Sequence, residues 1–276
     1  MTRTWLITGV STGFGRHLTE ALLAAGEQVA GTVRHLDAVA DLTEKYGSAF
    51  HVALLEMTDT ARIREVVDAT HARFGRLDVV VSNAGYGLMG AAEELTDEQV
   101  RHQLDTNLLG SIQLIRAALP HLRAAGGGRI LQLSSVGGQV AWPGGSLYHA
   151  TKWGVEGFAD ALADEVAPLG IGVTIVEPGG ARTEFRYDGS RLAPKIDAYS
   201  ISPAARIRRV LEERTSLALG DPVRMAQLMI ATADQSPAPR RLVLGSDAWT
   251  AMTAALEARL EDVRGQKEVA FSTDLP

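Results

Sequence analysis

Thr8-Gly9-Val10-Ser11-Thr12-Gly13-Phe14-Gly15 is the stretch on which the fold turns. The apolar run Trp5–Thr8 leads into it and an amphipathic stretch from His17 to Ala25 follows, so the glycines fall between a predicted strand and a predicted helix. A glycine-rich turn in that position lets backbone amides approach a pyrophosphate and aims the positive end of the helix at it. Gly9 is expected to make the turn, Gly13 the close approach and Gly15 the packing of helix on strand, with Thr8, Ser11 and Phe14 completing the candidate set. Alone, the pattern fits any tight turn from strand to helix equally well.

Working outward, short β-branched runs alternate with longer helical patterns along most of the chain, which is the sequence form of repeated βα units. The predicted strands are Trp5–Thr8, Gln28–Val33, Phe50–Leu55, Asp78–Ser82, Arg129–Leu133, Gly172–Val176 and Arg241–Leu244. Helix starts are marked by a capping box, Thr96 with Gln99, and by Asp221 followed by Pro222. The expectation is an α/β, doubly wound Rossmann-type fold, with a seven-stranded, mainly parallel sheet and helices on both faces. No repeat or Pro-rich linker divides the chain, so residues 1–264 read as one domain and 265–276 as a flexible tail. Residues 184–219 break the rhythm: Tyr187, Asp188, Gly189, Pro194 and Pro203 lie in a connection too long to be ordinary, and a substrate lid is expected there, an inert surface insertion being the alternative.

Composition narrows the function. The 276 residues are 46% hydrophobic and contain no cysteine, so disulfides and thiolate zinc sites are excluded. The formal charge of -6 includes no basic stripe of the kind that follows phosphates along DNA or RNA. No run approaches the roughly 18 apolar residues of a membrane span, and no signal-peptide core precedes the first strand. A cytoplasmic protein with no membrane and no nucleic-acid partner is expected.

The glycine spacing is Gly-x-x-x-Gly-x-Gly, Ser82-Asn83-Ala84-Gly85 closes the fourth predicted strand, and Asn107-Leu108-Leu109-Gly110 follows in a helix. With these the chain resembles the short-chain dehydrogenase/reductase family over about residues 4 to 250. The resemblance implies a nicotinamide dinucleotide, with Asn83, Ala84 and Gly85 along it. At the end of the second strand, where an acidic residue would accept from the ribose hydroxyls of NAD, stand Val33 and then Arg34; a permanent guanidinium favours the extra phosphate of NADP(H). NADP is therefore expected, NAD being the alternative, although Arg34 also suits a solvated loop start. Glu56 and Met57 occupy the place where the family usually has an Asp near the adenine, which leaves that contact less secure.

Tyr148-His149-Ala150-Thr151-Lys152 opens a helical pattern, and a spacing of four puts Tyr148 and Lys152 on one face. A phenol titrating near 10 needs a neighbouring ammonium to work as an acid or base near neutrality. Thirteen residues earlier Ser135 ends a strand and is expected to bind the substrate oxygen, with Ser134 as its rival. By resemblance, Asn107 holds a water against Lys152; by residue type alone a helical Asn is a capping or solvated residue. His149, turned about 100° from Tyr148, is left as structural. Pro178-Gly179-Gly180-Ala181-Arg182-Thr183 matches the family's Pro-Gly-x-x-x-Thr, which implies that Pro178, Gly179 and Thr183 hold the nicotinamide amide.

Tyr86, Leu88, Met89, Trp142 and Phe185, with Gln139, Val140, Pro143 and Tyr187, are expected to line a largely apolar substrate pocket, ordinary packing being the alternative for each. The expected activity is metal-free hydride transfer between NADP(H) and a small-molecule ketone, aldehyde or alcohol. A dinucleotide-binding sensor or scaffold is the rival reading, and an epimerase or dehydratase a smaller one. The resemblance also implies a homodimer or homotetramer assembled through the Tyr148 helix and its neighbour from Asp97 to Arg123.

Overall fold

The computed structural model describes residues 2–215 and 218–275. In chain order its elements are β1 Thr4–Thr8, α1 Gly13–Ala24, β2 Gln28–Val33, α2 Ala40–Tyr46, β3 Phe50–Leu54, α3 Thr60–Phe74, β4 Val79–Ser82, β5 Gly87–Met89, α4 Asp97–Gln103, α5 Gly110–Ala124, β6 Gly128–Leu133, α6 Ser146–Val166, β7 Ile171–Pro178, β8 Ser190–Leu192, α7 Ala205–Glu213, α8 Pro222–Thr232, β9 Arg241–Leu244, α9 Ser246–Gly265 and α10 Lys267–Phe271. All seven expected strands are present, their ends shifted by at most two residues.

Successive residues of a strand point to opposite faces, and a parallel sheet is covered on both. In β1, Trp5 and Ile7 join one core with Leu18 and Leu22 of α1 and Met225 and Met229 of α8. Leu6 goes to the other, with Ile63 of α3, Leu114 of α5 and Leu162 of α6. Truncating a fully buried leucine such as Leu18 or Leu114 to alanine costs about 2–5 kcal/mol. The strand order is β3-β2-β1-β4-β6-β7-β9, every pair parallel. Connections therefore run outward in opposite directions from β1 and β4, and their carboxyl ends splay apart to leave a crevice.

The helix starts follow local chemistry. Thr96 and Gln99 form the expected capping box at α4, and Asp221 accepts from the Val223 and Arg224 amides at α8. The helix expected from Asp97 to Arg123 is not uniform, because α4 and α5 are joined by a π-helical turn, Leu104–Leu109. Such turns insert a residue into the helical ladder and redirect the side chains that follow.

Two three-residue strands escaped the periodicity reading. β5 and β8 pair in parallel, Leu88 opposite Arg191, stitching the long connection to the loop after β4. A second anchor is Glu94, buried at the base of this connection: it accepts from the Ile196 amide at 2.9 Å and from Arg208 Nη2 of α7 at 3.0 Å. Ser216 and Leu217 of the expected lid, Met1 of the expected domain and Pro276 of the expected tail lie outside the described residues. Beyond α9, α10 is exposed on every side. Among the described residues no helix is long and apolar enough to cross a membrane.

Candidate active site

One cavity of about 560 Å³ runs along the carboxyl ends of β1, β2, β4, β6 and β7. Its first end is the turn from β1 to α1, where Gly9, Ser11, Gly13 and Phe14 line the wall. Gly9 has φ +72°, which a side chain would strain. Gly15 does not line the cavity; a Cβ there would overlap the Gly9 carbonyl and reach 2.7 Å from Asn83 Nδ2, so it brings α1 against the turn, as expected. Thr12 caps α1 without a side-chain hydrogen bond, which leaves the first amides of the helix open toward the cavity. Arg34, Glu56 and Met57 continue the wall.

Thr8, expected to touch the ligand, is instead fully buried between strands. Its hydroxyl accepts from the amides of Asn83 and Ala84, each at 3.0 Å, while Asn83 Nδ2 donates to the carbonyls of Thr8 at 2.8 Å and Gly9 at 3.1 Å. These bonds lock the loops after β1 and β4 together. Asn83, Ala84 and Gly85 then line the cavity beside them, and Pro178, Gly179 and Thr183 line it from β7.

At the other end, Tyr148 and Lys152 lie one turn apart on α6, both buried and both on the cavity wall with Ser135. Lys152 Nζ lies 5.9 Å from the Tyr148 ring centroid and donates to the Leu133 carbonyl at 2.9 Å. The rival serines separate: the Ser134 hydroxyl donates to Glu156 Oε1 at 2.5 Å, whereas Ser135 is hydrogen-bonded to Tyr148. Asn107, in the π turn, is buried off the cavity. Its Oδ1 accepts from the Tyr86 amide at 3.0 Å, and its Nδ2 donates to the Tyr86 carbonyl at 2.8 Å and to Thr151 Oγ1 at 3.3 Å. The side-chain amide is thus committed to Tyr86 and Thr151, while the Asn107 backbone carbonyl accepts from Ser111 Oγ at 2.9 Å.

Burial governs the protonation of the pair. It pulls the Lys152 ammonium down to about 8, against the opposing field of the Glu156 carboxylate. It also pushes the Tyr148 phenol above its ordinary value of 10, which the bond to Ser135 partly offsets. His149 is lowered by burial; its Nδ1 meets the Gly137 carbonyl at 2.9 Å and its Nε2 accepts from the Trp142 amide at 3.2 Å. It therefore staples the loop that carries Trp142.

The family model for short chain dehydrogenases matches residues 3–191. The chain belongs to the short-chain dehydrogenase family. Oxidoreductase BOA17 of Botryotinia fuckeliana is 36% identical over 250 residues, 90% of each chain. The crystal structure of a short-chain dehydrogenase from Streptomyces avermitilis superposes with a TM-score of 0.91 at 38% identity, covering 99% of this chain and 98% of that one. An alcohol dehydrogenase from the archaeon Thermococcus sibiricus, complexed with 5-hydroxy-NADP, superposes with a TM-score of 0.71 at 25% identity, covering 88% and 96%.

In this short-chain dehydrogenase, Tyr86, Met89, Trp142 and Phe185 of the expected substrate wall line the cavity that Tyr148 also lines. Leu88 does not: alternation along β5 turns it into the core, where it is 1% exposed. Gln139, Val140, Pro143 and Tyr187 also lie off the cavity. Sequence reasoning missed Ile207 and Leu211, which reach the cavity from α7, and His102, whose Nδ1 lies 2.9 Å from the Tyr86 hydroxyl. It also missed Arg191, stacked 4.9 Å from the Tyr86 ring. The apolar i, i+4 spacing of Ile207 and Leu211 was a usable signal for an amphipathic helix. His102 and Arg191 carried none, because their position depends on the π turn and on the pairing of β5 with β8.

Proposed function

We propose that this oxidoreductase uses NADP(H) to interconvert a ketone or aldehyde and the corresponding alcohol on a largely apolar small molecule. The observation that carries this reading is the convergence of Ser135, Tyr148 and Lys152 on the same cavity as the amino end of α1 and Arg34. The first end of the cavity suits a dinucleotide in two ways. Open amides at an uncapped helix start complement a pyrophosphate, and Arg34 beside neutral Val33 complements a 2′-phosphate. The 5-hydroxy-NADP named with the Thermococcus sibiricus enzyme supports the same choice.

Bound nicotinamide supplies or takes up the hydride. Gly9, Ser11, Gly13 and Phe14 hold the phosphate end, Glu56 and Met57 border the adenosine, Asn83, Ala84 and Gly85 flank the middle, and Pro178, Gly179 and Thr183 orient the carboxamide. In reduction Tyr148 donates its phenolic proton to the substrate oxygen while Ser135 hydrogen-bonds that oxygen as charge builds on it. A buried, neutral phenol is matched to that donation. The Lys152 ammonium lowers the cost of the phenolate that results. Asn107 acts as a positioning residue through Tyr86, and residues 184–219 act as the lid, with Phe185, Ile207 and Leu211 over the substrate. Leu109 and Trp153, both exposed near the expected pairing helices, support assembly as a dimer or tetramer.

The test is nicotinamide absorbance with NADPH and then NADH against a panel of apolar ketones and aldehydes, with Tyr148→Phe alongside. Turnover that prefers NADPH and drops about 10²-fold or more in Tyr148→Phe, with NADPH binding retained, is the expected result. Full activity in Tyr148→Phe overturns the assignment.

A further inference from the structure

Beneath Lys152 lies a cluster of charged groups that the proposed chemistry leaves unused. Glu156 sits one turn along α6 from Lys152 and is 3% exposed; Glu177, near the end of β7, is 0% exposed. Two carboxylates in such a place repel each other and lose their hydration, so both cannot stay ionised without compensation. Besides Lys152, a cation within reach is Arg241 of β9, whose Nε lies 3.2 Å from Glu177 Oε1 and whose Nη2 lies 3.9 Å from Glu156 Oε2. Arg241 is itself shared, since it also pairs closely with Asp160.

The hydrogen bonds divide the pair unequally. Glu156 accepts from the Ser134 hydroxyl and, by a close contact, from Gln139 Nε2. Among the described residues Glu177 receives only Arg241, and its Oε2 has no ordinary donor. Its carboxyl meets that of Glu156, so a proton on Glu177 gives Oε2 a role as donor and removes the repulsion together. The donors gathered around Glu156 place the remaining negative charge there, next to Lys152. Burial and the Glu156 charge push Glu177 up to about 8, which is consistent with that placement. Gly138 completes the arrangement, because a Cβ there would overlap both the Glu156 carboxyl and the Ser134 hydroxyl.

We propose that Glu156 and Glu177 share one proton beneath the active site, and that Glu156 is a positioning residue which keeps Lys152 charged and ties the Ser134–Gln139 segment, with Ser135 on it, to α6. The charged and titratable groups facing the pair are Lys152 and Asp160 on α6 and Arg241 on β9, with Tyr148 on the far side of Lys152. The kinetic part rests on the proposed carbonyl reduction; the shared proton does not.

Two measurements separate these parts. Infrared spectroscopy of the protein at pH 7 is expected to show the C=O band of a protonated carboxyl group that vanishes in Glu177→Gln; absence of that band from the unsubstituted protein overturns the shared proton, whatever the enzyme reduces. The second is the pH profile of kcat for NADPH-dependent reduction of an apolar ketone. Glu156→Gln removes the negative charge beside Lys152, so the alkaline limb is expected to move to lower pH by about one unit. Glu177→Gln keeps a neutral donor to Glu156, and its limb is expected to stay in place. A Glu156→Gln enzyme that melts earlier with its limb unmoved has lost only structure, and overturns the positioning role. Should Glu156→Gln fail to fold, Glu177→Gln decides: the proposal stands if the band is lost and the limb stays, and falls if the band persists or the limb moves.

Discussion

Asn107 grips Tyr86 by both edges of its amide, accepting from the Tyr86 nitrogen at 3.0 Å and donating to the Tyr86 oxygen at 2.8 Å. A side-chain amide bonded in this way copies a strand partner for one residue, and it fixes the backbone immediately after Gly85. Asn107→Ala leaves the Tyr86 amide without its partner, while the Tyr86 carbonyl keeps Gln103 Nε2 at 3.2 Å, so a loss of about 1–3 kcal/mol in stability is expected in denaturant unfolding. Because Tyr86 lines the cavity, KM for the carbonyl substrate should rise. A fall in kcat at constant KM would instead assign Asn107 to proton transfer through Lys152.

Arg34 is exposed at the end of β2 and faces the cavity. Hydrogen bonds to a charged group contribute about 1.5–3 kcal/mol, so Arg34→Ala should weaken NADPH binding at least tenfold and leave NADH binding unchanged. Fluorescence titration of each cofactor checks this, and the difference should shrink as salt is added. Equal weakening of both would remove Arg34 from phosphate recognition.

Gly15 is packed where nothing around it can yield. The Gly9 carbonyl belongs to the turn, Asn83 is fixed by bonds to Thr8 and Gly9, and the Thr19 hydroxyl donates to the Gly15 carbonyl at 2.8 Å. Gly15→Ala is expected to lose about 1–3 kcal/mol through overpacking and to weaken cofactor binding. A melting curve with NADPH titration on the same sample measures both.

Glu177 also predicts how stability depends on pH. Its proton is held up to about 8 in the folded protein against an ordinary value of 4.5, so between those values the folded chain binds the proton and the unfolded chain does not. The contribution of this group is complete below pH 4.5 and is lost as pH rises through 8. Melting temperatures from pH 5 to 8 should therefore fall in the unsubstituted protein relative to Glu177→Gln. Parallel curves would show that the carboxyl is ionised throughout.

The large strands were legible because each is a short β-branched run bounded by glycine or a polar turn, and Gly9, Asn83 and Tyr148 could be ordered along one sheet edge from those strands alone. What failed was local geometry that composition does not encode. Gly87–Met89 and Ser190–Leu192 are too short for alternation to register, and their pairing joins positions about a hundred residues apart, so Leu88 was given the wrong face. The π turn at Leu104–Leu109 leaves no mark in an otherwise helical pattern, yet it sets where the Asn107 amide points. Glu156 and Glu177 did leave a mark, as an acid four residues after Lys152 and a charge inside an apolar strand. Neither spoke to the other until the sheet brought α6 against β7.

The pairing of β5 with β8 and the grip of Glu94 on Ile196 and Arg208 have a consequence for how selectivity can be inherited or transplanted. The segment proposed as the lid is continuous in the chain, but its seat is supplied from Gly87 to Glu94, a hundred residues upstream. A graft of residues 184–213 from a relative would arrive without its footing, while one that also carries residues 87–94 would arrive whole. If residues 184–219 form the proposed lid, the heritable unit of substrate choice is a matched pair of distant segments, and changes in one are expected to be accepted only in the company of changes in the other.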